Sequence, residues 1–266
     1  IFYSMFGFQR IGDLAWAAGD SRSRGFLLGA TAGRTTLNGE GLQHEDGHSH
    51  LLSATIPNCI SYDPCFSYEL AVIIQNGLER MIKNQEDVFY YITIMNENYT
   101  HPEMPKNINE DIIKGIYKYS ENKAKGPKVQ LMGSGVILRE VIEAANILEK
   151  DFNVSSSIFS VTSFTEVRRN ALDIQRWNML NPDKTEKKST LDEIIVDLES
   201  PIITATDYMK SFAEQIATFL PNKFISLGTD GFGRSDSREA LRDFFEVDRN
   251  HIVIAALKAL TEKQEI

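Results

Sequence analysis

The chain has 266 residues, 42% of them hydrophobic and 24% charged, with a net charge of −9; this is the composition of an ordinary globular protein with room for two α/β domains. No apolar run approaches the roughly 18–20 residues that cross a bilayer, which argues against a membrane role, and the acidic balance argues against nucleic acid, whose phosphates need clustered Lys and Arg. Cys59 and Cys65, the only cysteines, lack the C-x-x-C spacing of redox or zinc sites, so a reducing cytoplasm is the expected compartment.

The elements are predicted in chain order. Residues 1–8 are apolar and aromatic, with no basic stretch before them and no small-residue cleavage site after them, so they read as a strand over 1–5 rather than a signal peptide. A chain that starts inside a strand is expected to be part of a longer protein. A helix over 9–18 and a strand over 25–30 follow, then a long polar loop. Next come a strand over 58–62, a helix over 67–81 with Leu70, Ile73, Ile74 and Leu78 on one face, and a strand over 88–95. These close a first domain of residues 1–100. Residues 101–127 are polar and carry Pro102, Pro105 and Pro127, so they read as a linker with one short helix near 112–119.

The second domain is expected over 128–266. A strand over 128–132 turns through Gly133-Ser134-Gly135 into a strongly amphipathic helix over 138–152. Strands at 157–161, 202–206 and 224–227 then alternate with helices at 166–180 and 209–220, and helices at 237–245 and 249–262 finish the chain. Such alternation predicts an α/β fold: two domains, each a largely parallel sheet flanked by helices.

The segment richest in chemistry is the loop 33–50, which holds three of the five histidines. Glycines at 39, 41 and 47 point to a defined backbone path close to something. His44, His48 and His50 with Glu45 and Asp46 are ligand types that zinc or iron use. The letters H-E-D-G-H mimic the helical metal motif, but their glycine disfavours a helix. No metal site is expected. A serine hydrolase lacks its G-x-S-x-G elbow, and Gly133-Ser134-Gly135 meets neither the dinucleotide fingerprint nor the P-loop.

Several strings resemble one family. Tyr3-Ser4-Met5-Phe6-Gly7-Phe8-Gln9-Arg10-Ile11-Gly12-Asp13-Leu14, the loop 33–50 and Ile56-Pro57-Asn58-Cys59-Ile60-Ser61-Tyr62-Asp63-Pro64 resemble the pyrimidine-binding middle domain of the homodimeric, bacterial-type pyruvate dehydrogenase E1 component. Leu131-Met132-Gly133-Ser134-Gly135, Val161-Thr162-Ser163-Phe164-Thr165-Glu166, Arg176-Trp177-Asn178-Met179-Leu180 and the run 227–238 resemble that family's carboxy-terminal domain. The resemblance implies two transketolase-like domains: most of the middle domain, truncated at its amino end, and the last domain.

It also implies a chemistry. Thiamine diphosphate and Mg2+ would be the cofactors, pyruvate the substrate, a second E1 subunit and the E2 dihydrolipoyl acetyltransferase the partners. The reaction would be decarboxylation of pyruvate and reductive acetylation of the E2 lipoyl group. By resemblance, Phe6 packs on the cofactor's aminopyrimidine, Tyr3 lines the same pocket, His44 reaches the pyruvate-derived adduct, and Glu40 lies near the same centre. The G-D-G…N motif that holds the diphosphate and Mg2+ is absent from these 266 residues, and Gly228-Thr229-Asp230-Gly231 lacks the spaced Asn. Taken alone, this stretch is therefore expected to be inactive and its 33–50 loop disordered. The alternative is a non-catalytic dimerisation and assembly module, since residues 128–266 form no evident acid-base or nucleophile set.

Overall fold

Of the amino-terminal apolar run, only Phe2–Tyr3 (β1) pairs as a strand, against Gly29 and Ala30, and the helix α1 already starts at Ser4 and runs to Asp20 in the computed structural model, which describes residues 1–263. The helical spacing of Phe8 and Ala15, which bury against Ile56, Cys59, Phe89 and Tyr91, outweighs the strand reading of residues 1–5. Gly7 is needed there, because a Cβ would fall 1.9 Å from the Phe2 ring. A non-helical residue, Ile11 (φ −125°), kinks α1.

Strand β2 (Phe26–Ala30), α2 (Ser49–Ser53), β3 (Cys59–Tyr62), α3 (Ser67–Leu78) and β4 (Phe89–Ile94) follow. The first sheet has the order β1-β2-β4-β3, all pairs parallel. Five of the six residues of β4 are buried, as expected of an inner parallel strand covered on both faces. Helix α3 ends before the predicted residue 81, and a π turn takes over at Glu79–Lys83.

The predicted helix near 112–119 is displaced. Helix α4 covers Asn109–Lys114 and is stopped by Gly115, whose left-handed backbone (φ 100°) closes it. Tyr117–Glu121 then form β5. The rest of the chain runs β6 (Lys128–Gly133), α5 (Leu138–Phe152), β7 (Ser155–Ser160), α6 (Phe164–Leu180), α7 (Thr190–Ile194), β8 (Ile202–Ala205), α8 (Lys210–Glu214), β9 (Phe224–Leu227), α9 (Arg238–Phe244) and α10 (Arg249–Glu262). The second sheet has the order β5-β7-β6-β8-β9, parallel except for the antiparallel edge strand β5.

Departures from the predicted bounds have local causes. Strand β7 begins two residues early because its opening serines carry no apolar signal, yet Ser156 and Ser157 are buried. The predicted helix 209–220 breaks after α8, where Gln215 Nε2 donates to the Phe212 carbonyl at 2.7 Å, and resumes as a 3-10 turn at Ala217–Phe219. Helix α7, not predicted, starts from Ser189, whose hydroxyl accepts from Asp192 N while the Asp192 carboxylate accepts from Ser189 N. Helix α5 matches its prediction, burying Leu138, Val141, Ala144, Ala145 and Leu148 on one stripe; each such leucine contributes about 2–3 kcal/mol.

Three buried carboxylates tie the two sheets together. Asp63, just past β3, accepts from Thr93 at 2.7 Å and from Ser134 of the second sheet's first turn at 2.9 Å. Its backbone O takes Gly135 N at 2.9 Å. Glu69 of α3 accepts from Tyr117 and Ser160, both at 2.6 Å. Asp207, beyond β8, accepts from Thr35 N at 2.9 Å and Thr36 Oγ1 at 2.8 Å. Burial raises all three carboxyls above their ordinary range, Asp63 to about 7, against the pull of the donors.

Candidate functional site

The change from β1 to α1 at Ser4 places Tyr3 and Phe6 within one turn of each other. The loop 33–50 brings His44 onto them. The imidazole stacks on Tyr3, with centroids 5.1 Å apart and planes 10° apart, and meets Phe6 edge-on at 5.0 Å. Tyr3 and Phe6 are themselves 5.9 Å apart. Glu40 completes the group, its Oε2 lying 3.0 Å from His44 Nδ1. An ionised carboxylate only accepts, so Nδ1–H donates to it and Nε2 is left available for a reactant. All four predicted site residues thus fall in one cluster. The Arg10 guanidinium carbon adds a cation 4.2 Å from the Phe6 centroid.

The loop itself follows one defined path, contrary to the disorder expected of it. Leu42–His44 form a 3-10 turn. Asp46 Oδ1 accepts from His48 N at 3.0 Å and Ser49 N at 2.9 Å, which starts α2. Next to His44, Glu45 is fully buried, its Oε2 accepting from Arg234 N at 2.6 Å. Burial pushes the Glu45 carboxyl up to about 7. Desolvation likewise lowers the Arg34 guanidinium, although Asp46, Asp207 and Glu45 oppose it.

The three loop histidines do not converge. His44 faces Glu40, His48 bonds the Gln9 side chain, and His50 is buried with Nε2 3.0 Å from Thr93 Oγ1 and its ring stacked 4.8 Å from Phe212. Burial pushes His50 down to about 4, so it is neutral packing rather than an acid or base near neutrality. Among the described residues the group of three metal-type side chains that does converge is Asp243, Asp248 and His251. There Asp248 already caps α10 through His251 N at 2.9 Å and holds the His251 ring at 2.8 Å.

A cavity of about 880 Å3 opens beside the cluster, lined by Met5, Gln9, Leu42, Glu45, His48 and Phe232 among others. Gly228-Thr229-Asp230-Gly231 is committed to local structure: Asp230 accepts from Lys210 N and Thr229 donates to the Asp207 carbonyl, both at 3.0 Å. Sequence reasoning missed Arg34 and Asp207 and offered Glu45 only as a metal-type ligand, whereas all three hold the loop in place. The available signal was position: Asp207 stands just past the carboxyl end of a parallel strand, where polar site residues gather.

Residues 1–102 match the family described as the pyruvate dehydrogenase E1 component middle domain, and residues 115–248 match the transketolase-like TK C-terminal domain. Pyruvate dehydrogenase E1 components of Pseudomonas aeruginosa and Escherichia coli K12 are 61% and 59% identical over the whole chain, which spans 30% of the length of each. Among solved structures, transketolase from Campylobacter jejuni superposes with a TM-score of 0.72 at 16% identity, over 97% of this chain and 35% of that one. A split-gene transketolase described as an inactive β4 tetramer gives 0.62 at 15% identity, over 98% of this chain and 74% of that one. At those identities the structures share the fold alone, a transketolase-like arrangement of two parallel-dominated sheets. No described helix is long and apolar enough to cross a membrane. With its two domain matches in order and about three residues in five shared with the bacterial enzymes, the chain belongs to the pyruvate dehydrogenase E1 component family, carrying sequence of its middle and transketolase-like C-terminal domains.

Proposed function

We propose that this chain supplies one wall of the active site of a cytoplasmic, thiamine-diphosphate-dependent E1 that decarboxylates pyruvate and reductively acetylates the lipoyl group of E2. The observation that carries the reading is the convergence of Tyr3, Phe6, His44 and Glu40 from segments some forty residues apart. Its chemistry fits the aminopyrimidine end of the cofactor: flat apolar faces on two aromatics, one of them 43% exposed, beside an oriented imidazole. The diphosphate and Mg2+ belong in this reading to the rest of the enzyme, since the chain spans 30% of the length of its relatives. Thiamine diphosphate, when bound, supplies the carbanion and the electron sink for decarboxylation.

The chain's own residues bind and orient. Phe6 presents its face to the pyrimidine, and Tyr3 narrows the pocket and offers a hydroxyl. Glu40 holds the His44 ring by Nδ1, so Nε2 can donate to, or accept from, an oxygen of the substrate as charge moves. A homodimer and E2 are the partners this reading requires. The test uses the full-length parent with thiamine diphosphate and Mg2+: it releases carbon dioxide from pyruvate, and His44→Ala lowers turnover at least about tenfold. Unchanged turnover removes His44 from the chemistry.

A non-catalytic assembly role for the stretch taken alone is the second reading, favoured by the cluster drawing its side chains from residues 3–44 and none from 128–266. Sedimentation of the 266-residue chain decides it: a monomer at micromolar concentration speaks against it.

A further inference from the structure

The loop that carries Glu40 and His44 belongs to the first domain, yet its anchors lie in the second. At its start, Arg34 N donates to the Asp207 carbonyl at 3.2 Å, and the Asp207 carboxylate takes Thr35 N at 2.9 Å and Thr36 Oγ1 at 2.8 Å. The Arg34 guanidinium reaches the carbonyls of Thr229, at 2.5 Å, and Gly231. Arg238 Nε donates to the Thr36 carbonyl at 2.7 Å. In the middle, one residue from Glu40, Gly39 N donates to the Asp236 carbonyl at 3.1 Å, and one residue from His44, Glu45 accepts from Arg234 N at 2.6 Å. At its end, Met209 N donates to the Gly47 carbonyl at 2.8 Å.

The fit is close at both ends. Gly33 has φ +87°, and a Cβ on it would lie 2.1 Å from the Asp207 carboxylate; a Cβ on Gly47 would lie 2.3 Å from the Arg34 guanidinium. The anchors come from the chain just past β8 and β9, whose carboxyl ends in an open α/β sheet ordinarily face a ligand. Here they face a loop of the neighbouring domain. We propose that the second domain is a positioning element of the active site, and that Asp207 is the residue through which it fixes the loop bearing Glu40 and His44. Asp207 touches neither of those side chains, so it acts through the Thr35 backbone N–H and the Thr36 hydroxyl and is a positioning residue. The catalytic meaning of the proposal rests on the reading of His44 given above; the anchoring itself does not.

Amide hydrogen exchange of the 266-residue chain, with no cofactor or substrate, reads the anchoring directly. Asp207→Ala removes the acceptor of two hydrogen bonds, together worth about tenfold or more, so peptides covering 33–50 exchange about tenfold faster or more while β6 and β7 keep their protection. Asp207→Asn, which keeps an oxygen for Thr35 N–H, restores most of that protection. Unchanged exchange over 33–50 in Asp207→Ala overturns the proposal. If that variant also loosens the second sheet, Thr36→Val decides, since it removes one donor from the loop side: faster exchange confined to 33–50 supports the anchor, and wild-type exchange overturns it. In the full-length parent, Asp207→Ala lowers kcat with the affinity for thiamine diphosphate retained. Loss of loop protection with kcat unchanged keeps the anchor and refutes the role assigned to His44, so the two failures are distinguishable.

Discussion

Replacing Asp63 by Asn should change how the protein's stability depends on pH. The carboxyl is 1% exposed, and burial raises it from 3.8 to about 7, about three pH units or roughly 4 kcal/mol of differential interaction. The folded state therefore holds a proton through a window in which the unfolded chain has lost it. Stability from this group is fully present below about pH 4, falls as pH rises towards 7, and is constant above. Asn mimics the protonated acid: it keeps one acceptor oxygen for Thr93 or Ser134 and turns its N–H2 to the other hydroxyl. Urea unfolding of both proteins from pH 4 to 8 measures the effect. Glu45, also raised to about 7, acts in the same direction, while His50, lowered to about 4, acts in the opposite one; both largely cancel in the difference between the two proteins. Relative to wild type, Asp63→Asn should gain up to roughly 4 kcal/mol between pH 4 and 7.5. A difference that stays constant within about 1 kcal/mol, less than one pH unit's worth, would mean that folding does not raise the Asp63 carboxyl.

Two further substitutions probe the same frame. Gly135→Ala places a Cβ 2.5 Å from an Asp63 carboxylate oxygen at a residue with φ +49°, so a loss of at least about 2 kcal/mol is expected from strain and contact together; a wild-type urea midpoint would mean the turn yields freely. Phe164→Ala empties a fully buried site at the start of α6, where the ring meets Phe212 edge-on at 5.1 Å, and should cost about 3–5 kcal/mol by the same measurement, with a loss under 1 kcal/mol showing that the core collapses around it.

Strand-helix alternation was legible because parallel strands and amphipathic helices write distinct periods: α5 and α10 match their predicted spans, and β9 does too. Three features were not. The amino-terminal run is apolar enough for a strand, but its spacing serves a helix packed on the sheet. Strand β5 hid in a charged stretch because an edge strand can face water, and only Tyr117 of its five residues is buried. The order of the loop 33–50 was invisible because its partners, Asp207, Arg234 and Asp236, are more than 150 residues away. Tyr3, Phe6, Glu40 and His44 were chosen by family resemblance, and composition alone would have left them among other aromatics and loop histidines. The anchoring role of the second domain had no counterpart in any motif.

Whether this cluster is the cofactor and substrate wall is decided by titrating thiamine diphosphate into the full-length parent and two variants. Phe6→Ala should weaken cofactor binding about tenfold, the worth of one aromatic face, while His44→Ala leaves that affinity unchanged and lowers turnover of pyruvate. Wild-type affinity in Phe6→Ala together with wild-type turnover in His44→Ala would mean that the cluster contacts neither cofactor nor substrate.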